Sequence, residues 1–494
     1  MNMKLFAFLV VSLFFLMNCQ PQDPDGEWIS IFDGTTLEGW TANENQGTWK
    51  VEDGAIVCEG ERSHLFYSGE VNGGNFKNFE FKADVMTMPG SNSGIYICTE
   101  YQDEGWPSKG YEVQINNSFI GNPQNPELKK TAGLYGIRNK FLTTVDDEEW
   151  FTMHIILKKD RIQILVNDQL ITDYTEPEDP YRPESMASRL IGEGSFALQG
   201  HDPGSRVYFK NIQVRPLPDD AEFEVPQKRL DRDTERYITE LHAKGFPIMD
   251  LHVHLKGDLT MKEALSQSRY KGIDFGIAVN CGKAEDFPIN NDMELMAYLD
   301  TLRDVPAFNA MQAEGREWVD IFSMDAVNTF DYVFTDAMTY KDAQGVPVQM
   351  WKADQLERID LSDPESFMDG LVDYIVQILN EEPVDIYVNA TYIPDPIVDR
   401  YDELWTEERM KKVIQAAIDN EIAIEISARL KMPNYAFIRL GKEMGAKFTF
   451  GTNNIDSNLG HLEYCLEAIE ACGLTAADMW VPGYQELLWV ASKE

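Results

Sequence analysis

The stretch Lys109-Gly-Tyr-Glu-Val-Gln-Ile-Asn116 decides how the first half of this 494-residue chain is read. Alternate side chains of a strand point to opposite faces, so Tyr111, Val113 and Ile115 enter a core while Glu112 and Gln114 project together from the other face of a half-exposed strand. A carboxylate and an amide placed side by side can move a proton and hold hydroxyls; they can equally be ordinary solvent-side polar groups. Working outward, Phe79, Phe81, Ala83 and Val85 alternate in the same way. So do Ile162, Ile164 and Val166 before an Asn167-Asp168 turn into Gln169-Leu-Ile171, which predicts a hairpin within an antiparallel sandwich.

Further segments stand in a particular order around this strand: Trp28-Ile-Ser-Ile-Phe-Asp-Gly34, Leu37-Glu-Gly-Trp40, Trp49-Lys-Val-Glu-Asp-Gly54, Ser91-Asn-Ser-Gly-Ile-Tyr-Ile97, Gly133-Leu-Tyr-Gly136, Glu149-Trp150 and Phe196-Ala-Leu-Gln-Gly-His201. Together they resemble the 3-keto-disaccharide hydrolase family, also described as 3-keto-glucoside-1,2-lyase/hydratase domains, over a domain spanning 27–217. The resemblance implies an all-β concanavalin-like jelly-roll sandwich that acts on a glycoside whose C3 hydroxyl has been oxidised to a ketone. That ketone acidifies the C2 proton, so a base can remove it and the group at C1 leaves by elimination, with hydration completing net hydrolysis. Such chemistry differs from that of a glycosidase with two carboxylates flanking the anomeric carbon.

Carried onto this sequence, the resemblance makes Glu112 the acid/base residue and His201 a second proton-transfer or enolate-stabilising group, or with Glu112 a metal site. Asn92, Lys109, Gln114 and Tyr135 would hold sugar hydroxyls or the C3 oxygen, and Trp150 would pack on the domain or face a sugar ring. Cys98 stands where many family members carry Arg, and Arg138 is a nearby cation that can replace it. Each residue also has a plainer reading: a turn for Asn92, a solvated rim charge for Lys109, a packed turn for Tyr135, a surface pair with Asp202 for His201. The alternative function is a non-catalytic carbohydrate-binding sandwich, with the second half of the chain either the hydrolase or inactive.

Residues 218–245, rich in proline and charge at their start, read as a linker. Beyond them the apolar period changes. Thr406 caps a helix whose Met410, Val413, Ile414, Ala417 and Ile418 form one stripe; the strand Ile422-Ala-Ile-Glu-Ile426 follows, then a helix over Tyr435 to Met444 and the strand-like Lys447-Phe-Thr-Phe450. Alternation of this kind predicts parallel strands with helical crossovers. After the strand-like Phe246-Pro-Ile-Met249 comes Asp250-Leu-His-Val-His254, whose two histidines point the same way from a strand and can share a metal.

Residues 246–494 resemble the polymerase-and-histidinol-phosphatase (PHP) superfamily, which implies an α/β distorted (β/α)7 barrel. In that pattern His252, His254 and Glu314 are the metal ligands, and one divalent metal is the cofactor implied. Other ligand positions are replaced: Val279-Asn-Cys281, Asn389 and Gly451-Thr-Asn-Asn-Ile455 bring neutral amides, a thiol and an isoleucine where a multinuclear cluster needs carboxylates and imidazoles.

The formal net charge of −40 disfavours nucleic acid and anionic membrane surfaces as ligands, whereas neutral glycosides are compatible with it. Cys58, Cys98, Cys281, Cys465 and Cys472 are scattered, and no disulfide framework follows from their spacing. Lys4 precedes an apolar run, Leu5 to Met17, shorter than the span of about 20 residues that crosses a bilayer. With Leu16-Met-Asn-Cys19 it resembles a lipoprotein signal: residues 1–18 removed, Cys19 lipidated, residues 19–26 a polar tether, and the protein lipid-anchored in a bacterial cell envelope, periplasm-facing or surface-exposed. Cys19→Ala is expected to move the protein from the membrane fraction to the soluble fraction, as cell fractionation with immunodetection will read.

Overall fold

A computed structural model describes residues 26–283 and 287–484. The signal peptide, Cys19 and nearly all of the tether lie outside the described residues. The first domain consists of two antiparallel sheets. One has eight strands in the order Gln169–Thr175, Arg161–Val166, Phe151–Lys158, Phe79–Thr87, Arg206–Pro216, Ala55–Glu59 and Trp49–Glu52, with Ile29–Ser30 on Arg206–Pro216. The other has five: Trp40–Ala42, Ser63–Tyr67, Ser195–Gly200, Asn92–Thr99 and Tyr111–Asn116. Phe79, Phe81, Ala83 and Val85 are fully buried with Ile95, Ile97, Val113 and Ile115 in one core, as the alternation requires. Asn167 (φ 49°) and Asp168 (φ 64°) both take the left-handed backbone of a tight hairpin turn.

Strand Tyr111–Asn116 departs from expectation in one respect: it is buried along both faces, not half-exposed. Its outer edge is covered by residues 131–135, where Gln114 N–H donates to the Gly133 carbonyl and Tyr135 N–H to the Glu112 carbonyl, both at 2.9 Å. Its polar side chains are covered too and bond other parts of the protein: Glu112 bonds Tyr96 and Gln199, Gln114 bonds Asn92, and Asn116 donates to the Phe119 and Lys129 carbonyls.

The second domain is a sheet of seven parallel strands in chain order: Met249–Val253, Asp274–Cys281, Phe308–Ala313, Tyr332–Thr335, Ile386–Tyr387, Ala423–Ser427 and Phe448–Gly451. The last strand returns against the first, and the barrel is nearly closed. Buried Asp250 fastens the join, accepting from Thr452 N–H at 2.8 Å and from the Thr452 hydroxyl, while Asn453 N–H donates to the His252 carbonyl. Thr406 caps helix Glu407–Asp419, and Gly445 (φ 92°) ends helix Tyr435–Met444 in the left-handed conformation that favours glycine. The first strand begins three residues later than expected, so His252 lies within it and His254 just beyond its end. The linker also contains more structure than expected: Arg232–Ala243 is a helix whose Ile238 and Leu241 join the barrel's core, drawn in by their apolar spacing.

The sandwich plugs the end of the barrel where its strands begin. Leu128 and Phe141 enter an apolar cluster with Met249, Leu251, Phe308, Tyr332, Ile386 and Trp480. Beside them Asp274 accepts from Lys140 Nζ at 2.6 Å and from Phe141 N–H at 2.9 Å. Arg138 lies here as well. Expected to bind substrate, it is 3% exposed and donates to both Glu235 oxygens at 2.6 Å, because a buried guanidinium needs a carboxylate and the linker helix provides one. His242 is buried against the same loop: Nε2–H donates to the Gly272 carbonyl at 2.9 Å, and Nδ1 accepts from Asn139 N–H at 3.3 Å.

Phe141→Ala leaves a cavity at this junction and is expected to cost about 3–5 kcal/mol, read by urea unfolding. Burial, reinforced by the Arg138 and Lys140 charges, holds the His242 imidazole down at about 3. The unfolded chain therefore binds a proton below the ordinary value of 6.5 that the folded chain refuses. Stability is expected to be complete above pH 6.5 and to decline as pH falls from 6.5 toward 3. His242→Gln should flatten that decline in unfolding curves taken at stepped pH.

Candidate functional site

The site lies on the face of the five-stranded sheet turned away from the sandwich core. Register places Tyr96 opposite Glu112, Gly94 opposite Gln114, Asn92 opposite Asn116 and Gln199 opposite His64. Period two then brings His64, Asn92, Tyr96, Glu112, Gln114 and Gln199 to one face. Glu112 is 6% exposed. Its Oε2 accepts from the Tyr96 hydroxyl and its Oε1 from Gln199 Nε2, each at 2.8 Å, and Arg189 Nη2 stands 4.0 Å away. Gly94 makes room for this carboxylate: a Cβ there would lie 3.0 Å from Glu112 Oε1.

Three neighbours complete the arrangement. Burial pushes the Tyr96 hydroxyl well above its ordinary value and the nearby Glu112 charge adds to this, so the phenol stays protonated and donates. Burial pushes the His64 imidazole down to about 3, so it is neutral. Neither of its ring nitrogens has a partner, and the ring stands edge-on to Tyr96 and Trp106, at 5.4 Å from each. His201 keeps 28% of its side chain exposed and thus reaches solvent; its Nδ1 is 2.7 Å from Asp202 Oδ2. Burial would raise the Asp202 carboxyl, but hydrogen bonds from His201 and Ser205 outweigh it and hold the group below its ordinary range. The His201 ring packs between Trp106 (5.2 Å) and Phe119 (5.4 Å). Gln114 Nε2 donates to Asn92 Oδ1 at 2.8 Å, while the Gln114 and Gln199 amide oxygens are buried without partners. The face therefore offers a positioned carboxylate, a neutral imidazole, an exposed imidazole steadied by an acid, and amides free to bind hydroxyls.

Of the residues singled out from sequence, Glu112, Gln114 and Asn92 share this face, and His201 follows its strand. Lys109 pairs with Glu100 at 2.9 Å on the surface. Tyr135 flanks the strand through its backbone, its ring taking Lys129 Nζ at 4.7 Å. Trp150 packs on Lys210 (3.7 Å) and Tyr208, which belong to the other sheet. Sequence reasoning passed over His64, Tyr96, Trp106, Arg189 and Gln199. For Tyr96 and Gln199 a signal existed, since alternation within the quoted motifs puts them on the polar face. His64 needed the pairing register, and Arg189 and Trp106 come from loops.

The barrel's other end carries His252, His254 and Glu314. His252 Nδ1 is 2.5 Å from Glu425 Oε2, and its Nε2 is buried without a partner. His254 Nδ1–H donates to the Ala278 carbonyl at 3.1 Å. Glu314 Oε1 accepts from Asn280 (2.7 Å) and Gln312 (2.8 Å). Burial first, then the charge of Asp336, pushes its carboxyl up to about 7. Asn389 donates to Asp336 at 3.1 Å and accepts from Asn453 at 2.9 Å. Amides thus bond these carboxylates. Among the described residues no group of three or more His, Cys, Asp or Glu side chains is arranged to hold a metal ion, His252, His254 and Glu314 included.

No curated protein matches this sequence. Among solved structures, two provisionally assigned glycosyl hydrolases from Parabacteroides distasonis are similar to it. One is 21% identical over 39% of this chain and 94% of its own, with a TM-score of 0.34; the other is 24% identical over 39% and 100%, with a TM-score of 0.29. The carbohydrate-binding module CBM66 from Bacillus subtilis is 15% identical over 36% and 95%, with a TM-score of 0.25. Residues 27–215 match the 3-keto-alpha-glucoside-1,2-lyase-like domain, and the sandwich is therefore related to that family of glycoside-acting domains.

Proposed function

We propose that the sandwich cleaves 3-keto-glycosides by elimination across C1 and C2, followed by hydration. The observation that carries this reading is the Glu112 carboxylate, buried and held at both oxygens by Tyr96 and Gln199, together with the half-buried His201–Asp202 pair at the end of the Gln199 strand. Glu112 removes the C2 proton, and the electron pair moves into the C2–C3 enolate of the ketone. Neutral His64, whose ring nitrogens have no protein partner, is available to the C3 oxygen, and the unpartnered amide oxygens of Gln114 and Gln199 to the sugar's hydroxyls. As the enolate collapses, the C1–O bond breaks, the C1–C2 double bond forms, and His201 protonates the departing oxygen. Water then adds hydroxyl to C1 while Glu112 returns its proton to C2 and His201 recovers one from the water. The sum is hydrolysis, with no net change in either residue.

The test is to give the purified protein a 3-keto-glucoside and the matching unoxidised glucoside while following leaving-group release and enone absorbance. Cleavage is expected of the keto sugar alone, and Glu112→Gln should lower kcat by at least about 100-fold with binding retained. Binding of both sugars without cleavage of either would overturn the reading in favour of a carbohydrate-binding module.

A further inference from the structure

A cleft of about 570 Å³, within the usual range for ligand sites, runs between the domains. Asn92, Phe119 and His201 line it from the sandwich; Lys244, Lys447 and Ala477 line it from the opposite side. It is continuous with the Glu112 face in two ways. Asn92 bonds Gln114, the next residue but one to Glu112 on that face. The His201 ring stands against both Trp106, which itself stands against His64, and Phe119, inside the cleft. Asn92 pairs across from Asn116, four residues beyond Glu112, so the cleft opens roughly 13 Å along the strand from the carboxylate. A single sugar seated at Glu112 reaches only the mouth of the cleft, where Asn92 and His201 stand, whereas a linked chain of sugars enters it.

The charges in the cleft indicate what kind of chain. Lys129 is matched by Glu127 at 2.7 Å, Lys244 by Glu240 at 2.7 Å, and Lys447 Nζ donates to the Ala477 carbonyl at 2.7 Å. With these cations already partnered, the walls present carbonyls, amides and matched pairs, which suit hydroxyls better than an anion. The walls are also held in place: Arg138–Glu235, Asn139–His242 and Lys140–Asp274 fasten one domain to the other.

We infer that the barrel domain supplies the leaving-group subsites of the sandwich, and that the substrate class is a neutral oligosaccharide carrying its 3-keto sugar at Glu112 and the remaining sugars in the interdomain cleft. This rests on the reading of Glu112 given above, and the experiment separates the two. With the full chain, methyl 3-keto-glucoside is compared with 3-keto-glucose linked to one, two and three glucose units. The expected result is a kcat/KM that rises about tenfold with length, because remote binding energy is spent at the reacting bond. Ala477→Trp, at an exposed position on the barrel wall, and Asn125→Trp, on the sandwich wall, should each abolish the rise and leave the methyl glycoside unchanged. A rate independent of length in the unaltered protein, or an equal loss on every substrate in both variants, would overturn the inference. Calorimetric binding of the unoxidised glucose oligomers reads the cleft without the chemistry. If no keto sugar is cleaved but both Trp variants weaken binding of the longer oligomers alone, the catalytic reading fails and the cleft stands; length-independent binding removes the cleft.

Discussion

One carboxylate fixes the relation between the two halves of this protein. Asp274, at the start of a barrel strand, accepts from both the side chain of Lys140 and the backbone of Phe141. Those bonds seat a sandwich loop so that Phe141 and Leu128 fill the barrel's interior at the end where its strands begin. A parallel barrel must close that end with something apolar, and here the neighbouring domain does so. The consequences extend in both directions. The strand C-terminal ends lie at the far side, and the same loop, as it leaves the sandwich, forms one wall of the cleft beside Asn92 and His201.

The functional face of the sandwich has been made polar without being made wet. Glu112, Gln114, His64 and Gln199 are all buried, which costs free energy unless each polar atom finds a partner. Tyr96 and Gln199 provide for Glu112, yet both nitrogens of His64 and the amide oxygens of Gln114 and Gln199 remain unpartnered. Such atoms concentrated at one place mark where a hydroxylated ligand would supply the missing bonds. Gly94 serves the same end sterically, since any side chain there would press on the Glu112 carboxylate.

The barrel holds a second set of buried polar groups, and His252 Nε2, Gln312 Oε1 and Glu425 Oε1 are unpartnered there too. Asn280, Gln312, Asn389 and Asn453 bond the carboxylates of Glu314 and Asp336, directly or in a chain. Both carboxyls are raised, chiefly by burial, which favours their uncharged forms.

The alternation of Tyr111 to Asn116 and of Phe79 to Val85 settled the sandwich, and the 3.6-residue stripe after Thr406 settled the helices of the second half, because strand and helix periods are local properties of the chain. That Glu112 and Gln114 share a face was legible for the same reason. Which other residues meet them there was not: His64 reaches the site through its pairing with Gln199, 135 residues on in the sequence, and Arg189 and Trp106 through loops that no period describes. Arg138 shows the limit most clearly. Its sequence neighbours place it near the family's motifs, but only the packing of a distant helix brings Glu235 to it and makes it part of the junction, since a buried guanidinium takes its role from whichever carboxylate the tertiary fold delivers.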